Sequence, residues 1–283
     1  MPRRIRLFRR RYDLTVGGLR FGGTVDPDTA SHLHVSFTVT KNLRRHPNDC
    51  TISLVNLSPD SRRRLEQLDT VPVKLLAGYE QEMAQIFVGR LRDINTERDG
   101  PDLVTTIEGL DGGQQHKAGR VNRSFAKDVS IGDVLKQVVR DVGESIVGEG
   151  NLSDVLGRPE MKRKLTQGMT LQGHATEELE RVATAAGLEW SVQDERLQFL
   201  LRGRALEGEA VRLAPDTGLI GSPSIDNEGL VTVRSLMIPD VWPGRRLKVE
   251  GEFLDVTIRA DRCVYTGDSR GEEWSIESQG KEG

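Results

Sequence analysis

A mainly β protein with an α+β insert is the fold class this sequence predicts, as two tube-like antiparallel β-barrels flanking a small α+β module. Three observations lead there. Strand-like alternation of apolar and polar residues fills the stretch from Leu14 to Gly112. At Ser124 the apolar period changes from two residues to the helical spacing, and two amphipathic stretches follow. Beyond residue 205 the two-residue period returns. The expected boundaries are an N-terminal β-barrel domain at 1–118, the inserted module at 119–205 and a C-terminal β-barrel domain at 206–283.

Each element has its own local warrant. "LTVGGLRF" (14–21) places Gly17-Gly18 between two short apolar runs, the composition of a two-residue hairpin or a bulge. In "HLHVSFTVTK" (32–41), Leu33, Val35, Phe37 and Val39 share one face, and His34, Ser36 and Thr38 the other. Cys50, Ile52 and Leu54 alternate in the same way. Ser58-Pro59 before "DSRRRLEQL" reads as an N-cap, a proline at the first helical position and a short helix. "VPVKLLAGY" (71–79) and "AQIFVGRLRDINTERDGPDLVTTIEGLDG" (84–112) add three strands, the last two separated by a turn at Arg98–Asp102. Within the insert, Ser130 caps a helix whose stripe is Ile131, Val134, Leu135, Val138, Val139 and Val142, with Gly143 as its stop. The spacing predicts a second helix over "TLQGHATEELERVATAAG" (170–187), and "LEWSV" with "RLQFLL" form a hairpin about Asp194-Glu195. The polar, glycine-punctuated stretch 144–165 reads as loop with short pieces. In the last third, "GLVTVRSLMI", "RRLKVEGEFLDVTIRADRCVYTGD" and "EEWSIESQ" are strands joined at Pro239-Asp240, Pro243-Gly244 and "TGDSRGE". A barrel–insert–barrel order suggests internal duplication, although no clear sequence repeat is visible.

Bulk properties narrow the function classes. The chain has 283 residues, 36% hydrophobic and 29% charged, enough for more than one core. Net charge is −3, which argues against a general polyanion binder, and 5% aromatic residues provide few platforms for stacking single-stranded bases. Cys50 and Cys263 are far apart and outside any CxxC spacing, so neither a disulfide nor a zinc site is expected. No apolar run reaches the roughly 18 residues of a membrane span, and the arginines at the start precede no apolar signal core. Folding in a cytoplasm is expected.

The search for chemistry is short. His32 and His34 share a strand face, the one histidine spacing able to chelate, but no third ligand lies nearby; His46, His116 and His174 are isolated. Glu108 and Asp111 flank glycines in "EGLDGGQQH", which is ordinary turn chemistry and does not establish a paired-carboxylate site. Nucleophile-elbow and phosphate-loop motifs are absent from the sequence. Trp190, Trp242 and Trp274 lie in or beside strands, where packing in a core or seam is the plain reading and a subunit contact the sharper one. Arg3, Arg4, Arg6, Arg9, Arg10 and Arg11 form either a solvated tail or polar strand face, or an arm that touches nucleic acid. The expectation is therefore a non-enzymatic protein with no catalytic, cofactor or metal site.

Several passages, taken in order, resemble the baseplate hub, or tube-to-spike adapter, of tailed phages and related contractile particles. In the last third these are "SLMIPDVWPGRRLKVEG" (235–251) and "CVYTGDSRGEEWSIESQ" (263–279). In the first they are "SFTVTKNLRRHPNDCTISLVNLS" (36–58) and "FVGRLRDINTERDGPDLVTTIEGLDG" (87–112). "SIGDVLKQVVRDVG" (130–143) matches the family's inserted module in type. The resemblance implies a homotrimer whose six tube-like modules form a pseudo-sixfold ring between a hexameric tail tube and a trimeric spike. It further implies contacts with the tail tube or distal tail protein, the central spike, the tape measure and baseplate wedge components. DNA would pass through without specific binding, and the location would be the virion baseplate after assembly in the host cytoplasm. The lytic domain of some relatives is not expected here. Alternatives are the hub of a tailocin or contractile injection system, an OB-like nucleic-acid-binding protein using the N-terminal arginines, and a cell-wall hydrolase of the tail tip, for which no acid pair or metal set speaks.

Overall fold

The computed structural model describes residues 9–24, 33–112, 119–143 and 151–282. Before the insert come β1 (Arg10–Val16), β2 (Leu19–Thr24), β3 (His34–Asn42), β4 (Asp49–Val55), α1 (Pro59–Glu66), β5 (Pro72–Tyr79), β6 (Glu82–Asp99) and β7 (Asp102–Leu110). The insert holds β8 (Arg120–Phe125), α2 (Ile131–Gly143), α3 (Leu152–Leu156), β9 (Met169–His174), α4 (Ala175–Ala185), β10 (Leu188–Gln193) and β11 (Arg196–Leu201). The last third supplies β12 (Val211–Leu213), β13 (Leu219–Ile225), β14 (Leu230–Leu236), β15 (Arg246–Glu250), β16 (Asp255–Arg259), β17 (Arg262–Asp268) and β18 (Trp274–Lys281). The class is mainly β with an α+β insert, as the periodicity predicts.

The described chain divides into two compact units. The first joins residues 1–42, 48–111 and 205–283. Its main sheet has 11 strands in the order β13-β14-β18-β17-β3-β4-β7-β6-β5-β1-β2, antiparallel throughout. Four strands encoded after the insert thus continue, through the β17–β3 ladder, into seven encoded before it. No ladder closes into a barrel among the described residues: the 11-stranded order has two ends, and β12, β15 and β16 form a separate three-stranded sheet with β12 parallel to β15. The central strands β3, β4 and β7 alternate buried and more exposed residues. Phe37, Ile52 and Ile107, directly opposite one another on β3, β4 and β7, are buried in one continuous core that also takes in Val233, Leu247, Ile258 and Ile276. Gly17 (φ +52) and Gly18 (φ +92) make the two-residue β1–β2 turn, whose positive φ at both positions suits glycine. Ser58 caps α1 by accepting from Ser61 N, with Pro59 at the helix start.

The second unit comprises residues 43–47 and 112–204 and has its own core. Ser130 Oγ accepts from Asp133 N at 3.1 Å and opens α2, whose Val134, Leu135, Val138, Val139 and Val142 are buried. They pack with Leu179, Val182 and Ala183 of α4. The second helix is shorter than the period suggests: residues 169–174 form β9, paired with β8 so that Leu171 faces Arg123. Gly173 at φ +155 lies outside the helical region and ends any helix from the N-terminal side. Leu171 still lies in the core, from a strand instead of a helix. The 144–165 stretch contains α3 and a 3₁₀ turn at Pro159–Lys162, with 144–150 outside the described residues.

Backbone closeness at Gly280 ties the last strand to the β16–β17 connection. Asp261 N donates to Gln279 O at 2.8 Å, and Ile258 bridges Glu282. A Cβ at Gly280 would lie 1.7 Å from the Arg259 carbonyl oxygen. Gly280→Ala is therefore expected to cost about 2–3 kcal/mol, from forced separation of these strands, read as a lower urea midpoint at unchanged slope.

Candidate functional site

The first unit is rolled, and side chains complete the roll. In ladder order β1 and β5 lie far from β17 and β18, with β3, β4, β7 and β6 between them. Trp274, the first residue of β18, nevertheless donates its indole N–H to Gly78 O of β5 at 3.1 Å. Its ring meets Phe37 edge-on, with centroids 5.4 Å apart, and the Arg10 guanidinium lies 5.8 Å from its centroid. Arg10 of β1 also donates to the carbonyls of Gly271 and Glu272, each at 2.7 Å, and Tyr12 Oη donates to Leu33 O at 3.1 Å. Gly267 makes room, since a Cβ there would lie 2.2 Å from the Phe37 ring.

Rolling the apolar face inward leaves the opposite face of the central strands uncovered. Its residues fall into rows set by register. One row runs Thr266–Thr38–Thr51–Glu108–Asp93 across β17, β3, β4, β7 and β6. The next runs Asp268–Ser36–Ser53–Thr106–Asn95. Neither row holds a lysine or arginine, although Arg92, at the β6 bulge, reaches Glu108 at 3.6 Å. At the end of the second row Asp268 Oδ1 accepts from the backbone N–H groups of Arg270 and Gly271, each at 2.8 Å, and lies 2.9 Å from His34 Nε2. Burial pushes the Asp268 pKa up, but these N–H donors and His34 outweigh it and hold the carboxyl below its ordinary value.

The other residues singled out by sequence do not converge. His32 and His116 lie outside the described residues; His34 serves Asp268, and His46 and His174 are exposed. Glu108 points outward, whereas Asp111 is buried and accepts from Asn48 Nδ2 at 3.3 Å, so the two carboxylates are not a pair. Asn48 O in turn accepts from Asp111 N and its side-chain oxygen from Asn42 N, which fastens the two points where the chain leaves the first unit. Cys50 and Cys263 are free, buried thiols; burial raises both, that of Cys263 to about 12 against the weaker pull of the Ser278 hydroxyl. Trp190 is buried and donates to Glu180 Oε2 at 2.8 Å, while Trp242 is 37% exposed with Arg245 stacked 5.2 Å away. Arg9 pairs with Glu80, so of the N-terminal arginines Arg9 and Arg10 serve the fold and Arg3, Arg4 and Arg6 lie outside the described residues. Among the described residues no group of three His, Cys, Asp or Glu could hold a metal, and no helix is long and apolar enough to cross a membrane. Gly267 and Gly78, the seam role of Arg10 and the hydroxyl rows were not legible as such in the sequence; for the rows, the Ser and Thr at alternate positions of β3 and β4 were the available signal.

The profile of the family described as "Baseplate hub gp41" matches residues 18–256. The chain belongs to this family. As a baseplate hub protein it is a structural protein of the virion tail. No protein of curated function matches it by sequence. The hub's fold is similar to that of the 43 kDa tail protein of prophage MuSo2 from Shewanella oneidensis (TM-score 0.64, 12% identity, 96% of this chain and 97% of that one). It is equally similar to a tail protein from Neisseria meningitidis MC58 (TM-score 0.64, 10% identity, 97% of each). A component of the E. coli type VI secretion system, described as structurally similar to the T4 bacteriophage tail proteins gp27 and gp5, shares the fold as well (TM-score 0.58, 10% identity, 95% of this chain and 76% of that one).

Two outcomes test the geometry of the hub. Trp274→Ala empties the centre of the roll and is expected to cost about 3–5 kcal/mol, measured by chemical denaturation, with Trp274→Phe losing much less. A folded pKa held below the unfolded value of about 3.9 stabilises above that value, and the contribution is lost as pH falls through the folded value. Asp268→Asn should therefore cost about 1 kcal/mol at pH 7 and flatten the fall in stability between about pH 5 and pH 2.

Proposed function

We propose that this baseplate hub acts as a homotrimeric ring that adapts a hexameric tail tube, or distal tail protein, to a trimeric central spike, and that DNA crosses it through an axial channel. The observation that carries the reading is the continuous sheet: seven strands from before the insert and four from after it are laid side by side. Residues 1–118 and 206–283 are then two laterally joined modules per chain, so three chains present six. The two end strands of the sheet, β2 and β13, each pair on one side only among the described residues, and a head-to-tail contact that closes after three steps would cover such edges. On this reading the hub also meets the tape measure and wedge components, assembles in the host cytoplasm, and works by shape and adhesion without catalysis. Likeness to the type VI secretion component favours one second reading, the same hub in a tailocin or injection machine; capsid and terminase genes alongside would mark a phage.

Light scattering with electron-microscopy class averages is the test. A three-subunit ring with an open centre, formed alone or with the spike, is expected. A monomer under both conditions, binding DNA with a steep salt dependence, would instead support the nucleic-acid-binding alternative.

A further inference from the structure

We infer that the cleft between the start of α2 and the Pro159–Lys162 turn of the insert is a docking site for an acidic segment of another virion protein. That segment places an apolar side chain in the cleft and carboxylates on the lysines around it. The inference goes beyond the adapter role and does not depend on a ring of three.

The cleft has a volume of about 370 Å³. Gly132, Leu156 and Met161 line it, with Lys136 of α2 on one side and Lys162 of the turn on the other. Gly132 stands in the first turn of a helix, where glycine is costly. Here it lets the turn come close, since a Cβ would lie 3.1 Å from Met161 O. Lys164 bridges Ser130, which also lines the cleft. Lys127 precedes the short ladder in which Leu165 N donates to Val129 O at 2.9 Å, and Arg140 follows Lys136 by one turn of α2. These five cations are exposed, and none has an ion-pair partner among the described residues. Other arginines of the insert are engaged, Arg123 with Asp141 and Arg181 with Glu178.

Asp133 is the one acid lining the cleft, and it is tied to its own helix start. Its Oδ2 accepts from Ser130 Oγ at 2.6 Å, and Ser130 Oγ accepts from Asp133 N. An incoming carboxylate must therefore meet the lysines. Exposed ion pairs are individually weak, so the lysines set encounter and register, while an apolar side chain in the cleft supplies the anchor. Lysine stems can lie along that side chain. The volume is at the low end of the roughly 300–1,000 Å³ of ligand pockets, which suits one or two side chains and not a duplex. No aromatic ring lines the cleft for a base to stack on. Size and lining both favour an acidic peptide over nucleic acid.

Carbodiimide treatment of intact virions is the test, because it joins a lysine amine only to a carboxylate or phosphate in direct contact. Tryptic mass spectrometry should find Lys136 or Lys162 joined to Asp or Glu of another virion protein, in an acidic stretch that carries an apolar residue. Links only to the hub's own carboxylates, links to DNA, or no link at either lysine would overturn the inference. Lys136→Glu with Lys162→Glu should melt like the wild type, yet the cross-linked partner should fall at least about tenfold in the particles. Lys136→Arg with Lys162→Arg should retain it. Normal partner content in the glutamate variant would also overturn the inference, and should that variant not fold, the cross-link in wild-type virions decides alone.

Discussion

Everything in the larger unit depends on where Trp274 goes. Its indole leaves the last strand and bonds to the backbone of β5, 196 residues earlier in the chain. That contact links strands that lie far apart in the order of an 11-stranded sheet, which backbone ladders alone leave open. Phe37, Gly267 and Arg10 follow from it: a ring to meet the indole edge, a position without a side chain beside that ring, and a cation over the outer rim. Ordering such distant segments costs loop-closure entropy, which burial of large side chains at the seam must offset.

Rolling divides the residues of each central strand between two tasks. Those facing inward, such as Phe37, Ile52 and Ile107, hold the core. Those facing outward carry no packing burden, and on β3 and β4 most of them are Ser or Thr. β-branched Thr suits an exposed pleated surface and exposes little apolar area.

The insert follows a different logic. Its helices α2 and α4 and its strands bury their own core. Interrupting the chain between β7 and β12 does not interrupt the sheet, because the ladder resumes at β3 through β17.

Local rules determined much of this protein from sequence. The two-residue alternation marked β3, β4, β14 and β18, Ser58-Pro59 and Ser130 marked helix starts, and Gly17-Gly18 and Asp194-Glu195 marked hairpin turns, because each depends on residues within a few positions of one another. Only the tertiary structure decided that strands from both ends of the chain share one sheet, that Gly280 needs to be bare against the Arg259 carbonyl, and that residues 170–174 pair with β8 instead of extending α4. It also decided that Glu108 and Asp111, close in sequence, face opposite ways and serve separate neighbours. The physical reason is range. A cap or a turn is settled by neighbouring residues, whereas strand order and the fit of a ring against a glycine are settled by partners that the linear sequence does not place side by side.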